Sequence, residues 1–169
     1  MAKPPAQSPS ETELEELARK HITFEVLALI DAMGRGKAGA VPGPRELAIG
    51  VDSHALSSHD MLLHARLLAN FMECDASCRK GLHKHDIEAR HYVPEWPGVD
   101  ALGSDSDRVD KALAHLSRDR LGIGKIPLDQ RPAIALRVLK ALSKFIEELP
   151  PEQRPWFEQA ATAIKGALS

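Results

Sequence analysis

Residues 61–72 read MLLHARLLANFM, and wound as a helix this stretch is apolar on almost every side. A helix with so narrow a polar stripe belongs in the middle of a bundle, touched by neighbours on several faces. Its polar stripe consists of His59, Arg66, Asn70 and Glu73. At roughly 100° per residue, His64 projects within about 60° of Leu67 and Phe71. It therefore reads as a core histidine with a hydrogen-bonded partner. Arg66 has two readings: it reaches an acidic residue on a neighbouring helix, or it joins a phosphate site. Structural pairing is the preferred one.

Upstream, Ser10 followed three residues later by Glu13 is the signature of a capping box that opens a first helix. Ile22, Val26, Leu29, Ile30 and Met33 follow helical spacing and define its buried face, and Gly34 and Gly36 are expected to end it. The Gly-, Ala- and Pro-rich stretch from Gly34 to Pro44 reads as a long connection. A second helical region lies between Arg45 and Cys74, with breaks expected at Gly50 or within Ser57-Ser58-His59-Asp60, where Ser57 or Ser58 would cap the continuation. Downstream, Asp86–Val93 reads as a short helix that Pro94 to Gly98 cannot continue, and Trp96 is placed in the core. Asp105 or Ser106 is expected to cap a helix with Val109, Leu113, Leu116 and Leu121 inward, stopped by Gly122 and Gly124. A further amphipathic helix runs from about Arg131 to Leu149, with Ala135, Val138, Leu139, Leu142, Ile146 and Leu149 inward. Pro150-Pro151 separates it from a last helix carrying Trp156, Phe157, Ala160 and Ile164.

The totals agree with this pattern. Aromatic residues make up only 4% of the 169-residue chain, and no alternating apolar run is long enough to name as a strand. Ala- and Leu-rich cores of this kind favour helices, since sheets draw on β-branched and aromatic residues. The expected fold is all-α: a bundle of four to five main helices over residues 10–169, preceded by a disordered tail over 1–9. That length supports one domain. With 22 Lys and Arg against 24 Asp and Glu, the formal charge is −2, so no global field draws the chain to nucleic acid or membrane. No apolar run approaches the ~20 residues that span a bilayer, and the first ten residues lack the apolar core of a signal peptide. Two cysteines do not make a disulfide framework. The expected location is cytoplasmic, with no membrane association.

Candidate chemistry gathers in residues 107–120, DRVDKALAHLSRDR. Arg108 and His115 are seven residues apart, which returns to nearly the same side of a helix. A guanidinium holds phosphate bidentately and an imidazole moves protons near neutral pH. Together they suit cleavage of an RNA phosphodiester, with Asp119 one turn beyond to orient the ring. Arg118, Arg120 and Arg66 are the candidate binding cations. The bland alternative pairs Arg108 with Asp105 or a similar acid on a solvated surface. A second constellation, Cys74, Cys78, His83 and His85, offers zinc-type ligands, but its spacing matches no common zinc pattern and no metal is expected there. The same loop carries the local basic patch of Arg79, Lys80, Lys84 and Arg90, diluted by Asp86 and Glu88. No glycine-rich phosphate loop, nucleophile elbow or paired-carboxylate motif appears, and no cofactor is expected.

Two resemblances rest on these motifs. His64–Phe71 (HARLLANF), Lys111–Arg120 (KALAHLSRDR) and the piece from Asp86 through Tyr92 to Trp96 resemble a family of small, uncharacterised bacterial all-helical proteins. That likeness spans roughly residues 55–150 and implies a fold without an activity. The Arg108 to His115 spacing is similar to the motif of HEPN domains, in which an Arg is followed after four to six residues by a His. In many of them a polar residue directly follows the Arg; here that place holds Val109, with Asp110 one later. The resemblance implies a HEPN-like helical bundle, often dimeric, acting as a metal-independent RNase or an RNase-derived RNA-binding domain. Against it stands a non-catalytic helical module for protein interaction or dimerisation. The partners expected are a second copy of the chain, and RNA or a protein.

Overall fold

Ser10 opens the first helix by reciprocal capping: its hydroxyl accepts from the Glu13 backbone N–H at 3.3 Å, while the Glu13 carboxylate accepts from the Ser10 backbone N–H at 2.7 Å. The computed structural model describes residues 8–37, 53–73, 87–114 and 126–169. From the cap, α1 (Glu11–Glu16) runs through a π-helical segment (Leu17–Ile22) into α2 (Thr23–Lys37). At the junction both the backbone N–H and the side-chain hydroxyl of buried Thr23 reach the Ala18 carbonyl, which holds the wider turn in place. A π-turn of this kind inserts a residue without breaking the rod. Contrary to the sequence expectation, Gly34 and Gly36 lie within α2. A glycine costs only about 1 kcal/mol in a helix interior, and the packed face of Val26, Leu29, Ala32 and Met33 outweighs it.

The next helix, α3 (Ser53–Met72), is also unbroken, so the expected interruption at Ser57–Asp60 does not occur. Gly50 lies outside the described residues. Polar residues break a helix only when their side chains capture the backbone in a competing turn. As expected, α3 is central: it packs on α2, on α4 (Ser106–Ala114) and on α5 (Arg131–Glu148). The last helix, α6 (Glu158–Leu168), packs on α2 and α5. The architecture is an all-α bundle of five helices, counting α1–α2 as one rod, with no strand among the described residues. No described helix is long and apolar enough to cross a membrane.

Between α3 and α4 the chain from Ile87 to Leu102 has little regular structure. The short helix expected over Asp86–Val93 is a single 3₁₀ turn, Ala89–His91. Aromatic packing orders this stretch. Phe145 of α5 makes edge-to-face contacts with Phe71, Tyr92, Trp96 and Phe157, at centroid distances of 5.3, 6.2, 5.3 and 5.7 Å. Hydrogen bonds fix the turn further. The Trp96 indole and the Val99 N–H both donate to the carbonyl of Met72, the last residue of α3, and the Tyr92 hydroxyl donates to the Leu14 carbonyl at 2.7 Å. Burial pushes the Tyr92 phenol above its ordinary pKa, so it keeps the proton that it donates. The inward positions expected on α5 and α6 are buried, with Ile146 half-buried, and Phe145 joins them as the centre of the cluster.

Two outcomes follow. Phe145→Ala should cost about 3–5 kcal/mol in urea unfolding, because four rings lose a shared neighbour. The hydrogen bonds from the Ser10 backbone N–H and then its hydroxyl lower the Glu13 pKa. The cap therefore contributes stability above the ordinary glutamate pKa and loses it as pH falls through the lowered folded value. Carboxyl NMR should show Glu13 titrating below the usual range, and Ser10→Ala should raise its pKa.

Candidate functional site

The short helix α4 is held on both flanks by charge. Its core contact is Val109, fully buried, with Ala112 and Leu113 half-buried beside it. On one flank, Arg66 of α3 grips Asp110 bidentately: Nε lies 2.7 Å from Oδ1, and Nη2 donates to Oδ2 at 3.0 Å. The same guanidinium reaches the Ser106 hydroxyl at 3.4 Å and the Glu73 carboxylate at 3.8 Å. On the other flank, Asp105 holds two arginines. Arg108 donates to it at 2.9 Å, and Arg137 of α5 donates at 2.6 Å and also to the Leu102 carbonyl at 3.1 Å. Asp105 was expected as a possible helix cap; its carboxylate instead bridges two helices.

This places the candidate residues plainly. Arg66 takes the structural pairing, with an acid on the helix of Arg108. Ser106 and Asp110 face Arg66, whereas Arg108 projects roughly 160° further around the helix, so the two guanidinium groups do not converge. Arg108 carries the ion pair with Asp105 that its bland reading expects. His115, Arg118, Asp119 and Arg120 lie outside the described residues, as do Cys74, Cys78, His83 and His85. Among the described residues, no group of three or more His, Cys, Asp or Glu side chains is disposed to hold a metal ion. An open groove of about 420 Å³ between α5 and α6 is lined by Ser143, Ile146, Glu147, Ala161, Lys165 and Leu168. Glu147 and Lys165 are its charged side chains.

A different surface stands out. Three of the chain's four phenylalanines are in the aromatic cluster, but Phe24 is 60% exposed on α2. Leu27 beside it and Leu63 and Leu67 on α3 are each about 40% exposed, and these four are the large apolar side chains left in solvent among the described residues. In their midst His64 donates from Nδ1 to the Glu25 carboxylate at 2.6 Å, and its ring meets Phe24 edge-on at a centroid distance of 6.1 Å. His64 is thus the partnered histidine that the sequence suggested, although it sits at the border of the exposed strip. Phe24 and Leu27 fall off the buried stripe of Ile22, Val26, Leu29 and Met33, and that offset is the sequence signal that finds them.

No protein-family model, curated protein or solved structure matches the chain. The fold and its surfaces define the class, an all-α helical bundle, and functional inference rests on its own side chains.

The Arg66–Asp110 pair, partly exposed, should be worth about 0.5–1 kcal/mol in a double-mutant cycle. Arg66→Lys should lose most of that coupling, because an ammonium cannot reproduce the fork. Equal coupling for Lys and Arg in the chemical-denaturation cycle would show that only net charge matters there.

Proposed function

We propose that this protein is a non-catalytic helical interaction module whose contact surface is the α2–α3 face. The observation that carries the reading is the strip of Phe24, Leu27, Leu63 and Leu67. From their exposed fractions these side chains present on the order of 300 Å² of apolar surface, the scale at which such patches on monomers are often functional. The composition fits a protein partner better than RNA. Interface centres are enriched in aromatic side chains and depleted in charge, whereas RNA requires phosphate-binding cations and stacking platforms. Within the strip the His64–Glu25 pair satisfies itself within the chain, so burying it beneath a partner leaves neither group without a hydrogen bond.

The alternative of a HEPN-like RNase draws on Arg108 and His115. Arg108 is engaged by Asp105, and His115 is outside the described residues, so the geometry adds no support to that reading. RNA cleavage that disappears in a folded His115→Ala variant would bring it back.

The interaction reading is tested by placing a photo-crosslinking phenylalanine analogue at position 24 in cells, with exposed Gln159 as the control position. Adducts to a protein identified by mass spectrometry should form from position 24, fade with Leu67→Asp, and be absent from position 159. Equal yields from both positions, or none from position 24, would end this reading.

A further inference from the structure

The segment from Gly103 to Ala114 is held to the bundle differently from its neighbours. Among the described side chains of α4, Val109 is the fully buried one, with Ala112 and Leu113 half-buried beside it. The following helix, α5, buries seven between Ile134 and Phe145. Burial stabilises in proportion to the apolar area removed from water, and a helix as short as α4 does not stand on propensity. Its remaining tethers are ion pairs with partly exposed members: Arg66 with Asp110, and Arg108 and Arg137 with Asp105. Such pairs fix a position but add little stability. Few apolar contacts and solvent-reached tethers are the marks of an element that opens before the rest of a fold.

The chain enters this segment through a ready hinge. Gly103 has φ +58°, a conformation easy for glycine and strained for other residues. Its N–H donates to the Asp100 carboxylate at 2.6 Å, and a Cβ at this position would meet nothing within 4 Å. Backbone conformation and a local hydrogen bond therefore set the turn, without packing around it. On one side Ala101 and Leu102 are buried in the core; on the other, Gly103 and Ser104 are exposed. The charges divide across the hinge. Asp105, Arg108 and Asp110 travel with the segment, whereas Arg66 belongs to α3 and Arg137 to α5.

We infer that Gly103–Ala114 is a charge-latched segment that opens as a unit about Gly103 while the rest of the bundle stays folded, and that opening unmasks Arg66 and Arg137. Swinging the segment out removes both aspartates at once. Arg66 then keeps only its longer contact to Glu73, at 3.8 Å, and Arg137 keeps the Leu102 carbonyl. The closed segment is thus an internal competitor for any anion that those two guanidinium groups would hold. This opening is separate from the α2–α3 face and does not depend on the interaction reading. Its control is ionic strength. The Debye length falls from about 30 Å at 0.01 M salt to about 3 Å at 1 M, which weakens partly exposed pairs and spares the apolar packing of α5.

Amide hydrogen exchange of the purified full chain, followed by NMR from about 0.01 to 1 M NaCl, tests this. The amides of Asp110–Leu113 should share one level of protection, at least about tenfold below that of Val138–Phe145 on α5. Salt should speed their exchange at least about threefold and leave α5 unchanged. Asp110→Asn should speed it about two- to fivefold. Gly103→Ala leaves every ion pair in place, strains only the hinge, and should speed it about fivefold or more. In that variant the reaction of Arg66 with phenylglyoxal, mapped by mass spectrometry, should rise in step, with Arg154 unchanged as the reference. The salt series on the wild type decides the matter even where a variant misfolds. Equal protection of α4 and α5 overturns the inference, as does protection that fades stepwise toward Ala114, which is fraying. Exchange indifferent to salt overturns the charge latch, and indifference to Gly103→Ala overturns the hinge. Faster exchange with unchanged Arg66 reactivity overturns the unmasking.

Discussion

The ring of Phe145 is the contact on which the bundle's arrangement depends. Edge-to-face packing gathers Phe71 from α3, Tyr92 and Trp96 from the irregular connection, and Phe157 from the turn before α6 around one side chain of α5. With seven aromatic residues in the whole chain, committing five to one cluster concentrates most of the large, directional packing at one level of the bundle. The connection between α3 and α4 has almost no regular backbone pairing, so side-chain anchors must order it. They also solve a local problem. The carbonyl of Met72 is an orphan acceptor at the C-terminus of α3, and it receives both the Trp96 indole and the Val99 N–H.

That anchoring delivers Leu102 and Asp105 to the start of α4, where packing gives way to electrostatics. Among the described side chains of this nine-residue helix Val109 is the fully buried one, too little for a helix to persist by burial alone. The clamp comes from Arg66 on one flank and from Arg108 and Arg137, both held by Asp105, on the other. Three guanidinium groups that would serve a phosphate site are each directed at a carboxylate. A bidentate Arg–carboxylate pair has fixed geometry, so these contacts set the position of α4 more than they add to stability. The α2–α3 face differs: there Phe24, Leu27, Leu63 and Leu67 meet solvent, and His64 is hydrogen-bonded to Glu25 within the chain.

Much of the fold was legible in the chain. Ser10 and Glu13 announced the helix start, the all-round apolar run Met61–Met72 announced the central helix, and the 3.6-residue period of Ala135, Val138, Leu139 and Leu142 announced α5. Each of these signals is local: it depends on residues within a turn or two of one another, and helices are built from such contacts. Local signals mislead where local and tertiary preferences compete. Gly34 and the serines at 57 and 58 look like punctuation, yet they lie within helices, because a local break signal of about 1 kcal/mol or less is outweighed by the rest of a packed helix. The single 3₁₀ turn at Ala89–His91 fell short of a helix because its aromatic anchors hold the chain to a different path.

The candidate sites divide in the same way. Sequence spacing placed Arg108 on a helix flank and made Arg66 and His64 candidates for pairing, since angles around a helix follow from residue number alone. It did not identify Glu25 as the partner of His64 or Arg137 as the second partner of Asp105, because those pairs are separated by 39 and 32 residues and exist only once helices have docked. Exposure of Leu63 and Leu67 was equally out of reach: within Met61–Met72 they are two apolar residues among many. The side of a nearly uniform apolar helix that remains bare is set by which neighbours arrive and how many the bundle holds. By itself the sequence determined that helices form, where most begin, and which residues share a face. Only the tertiary structure decided which arginines are neutralised and which face is left apolar in water, because both depend on partners distant in the chain.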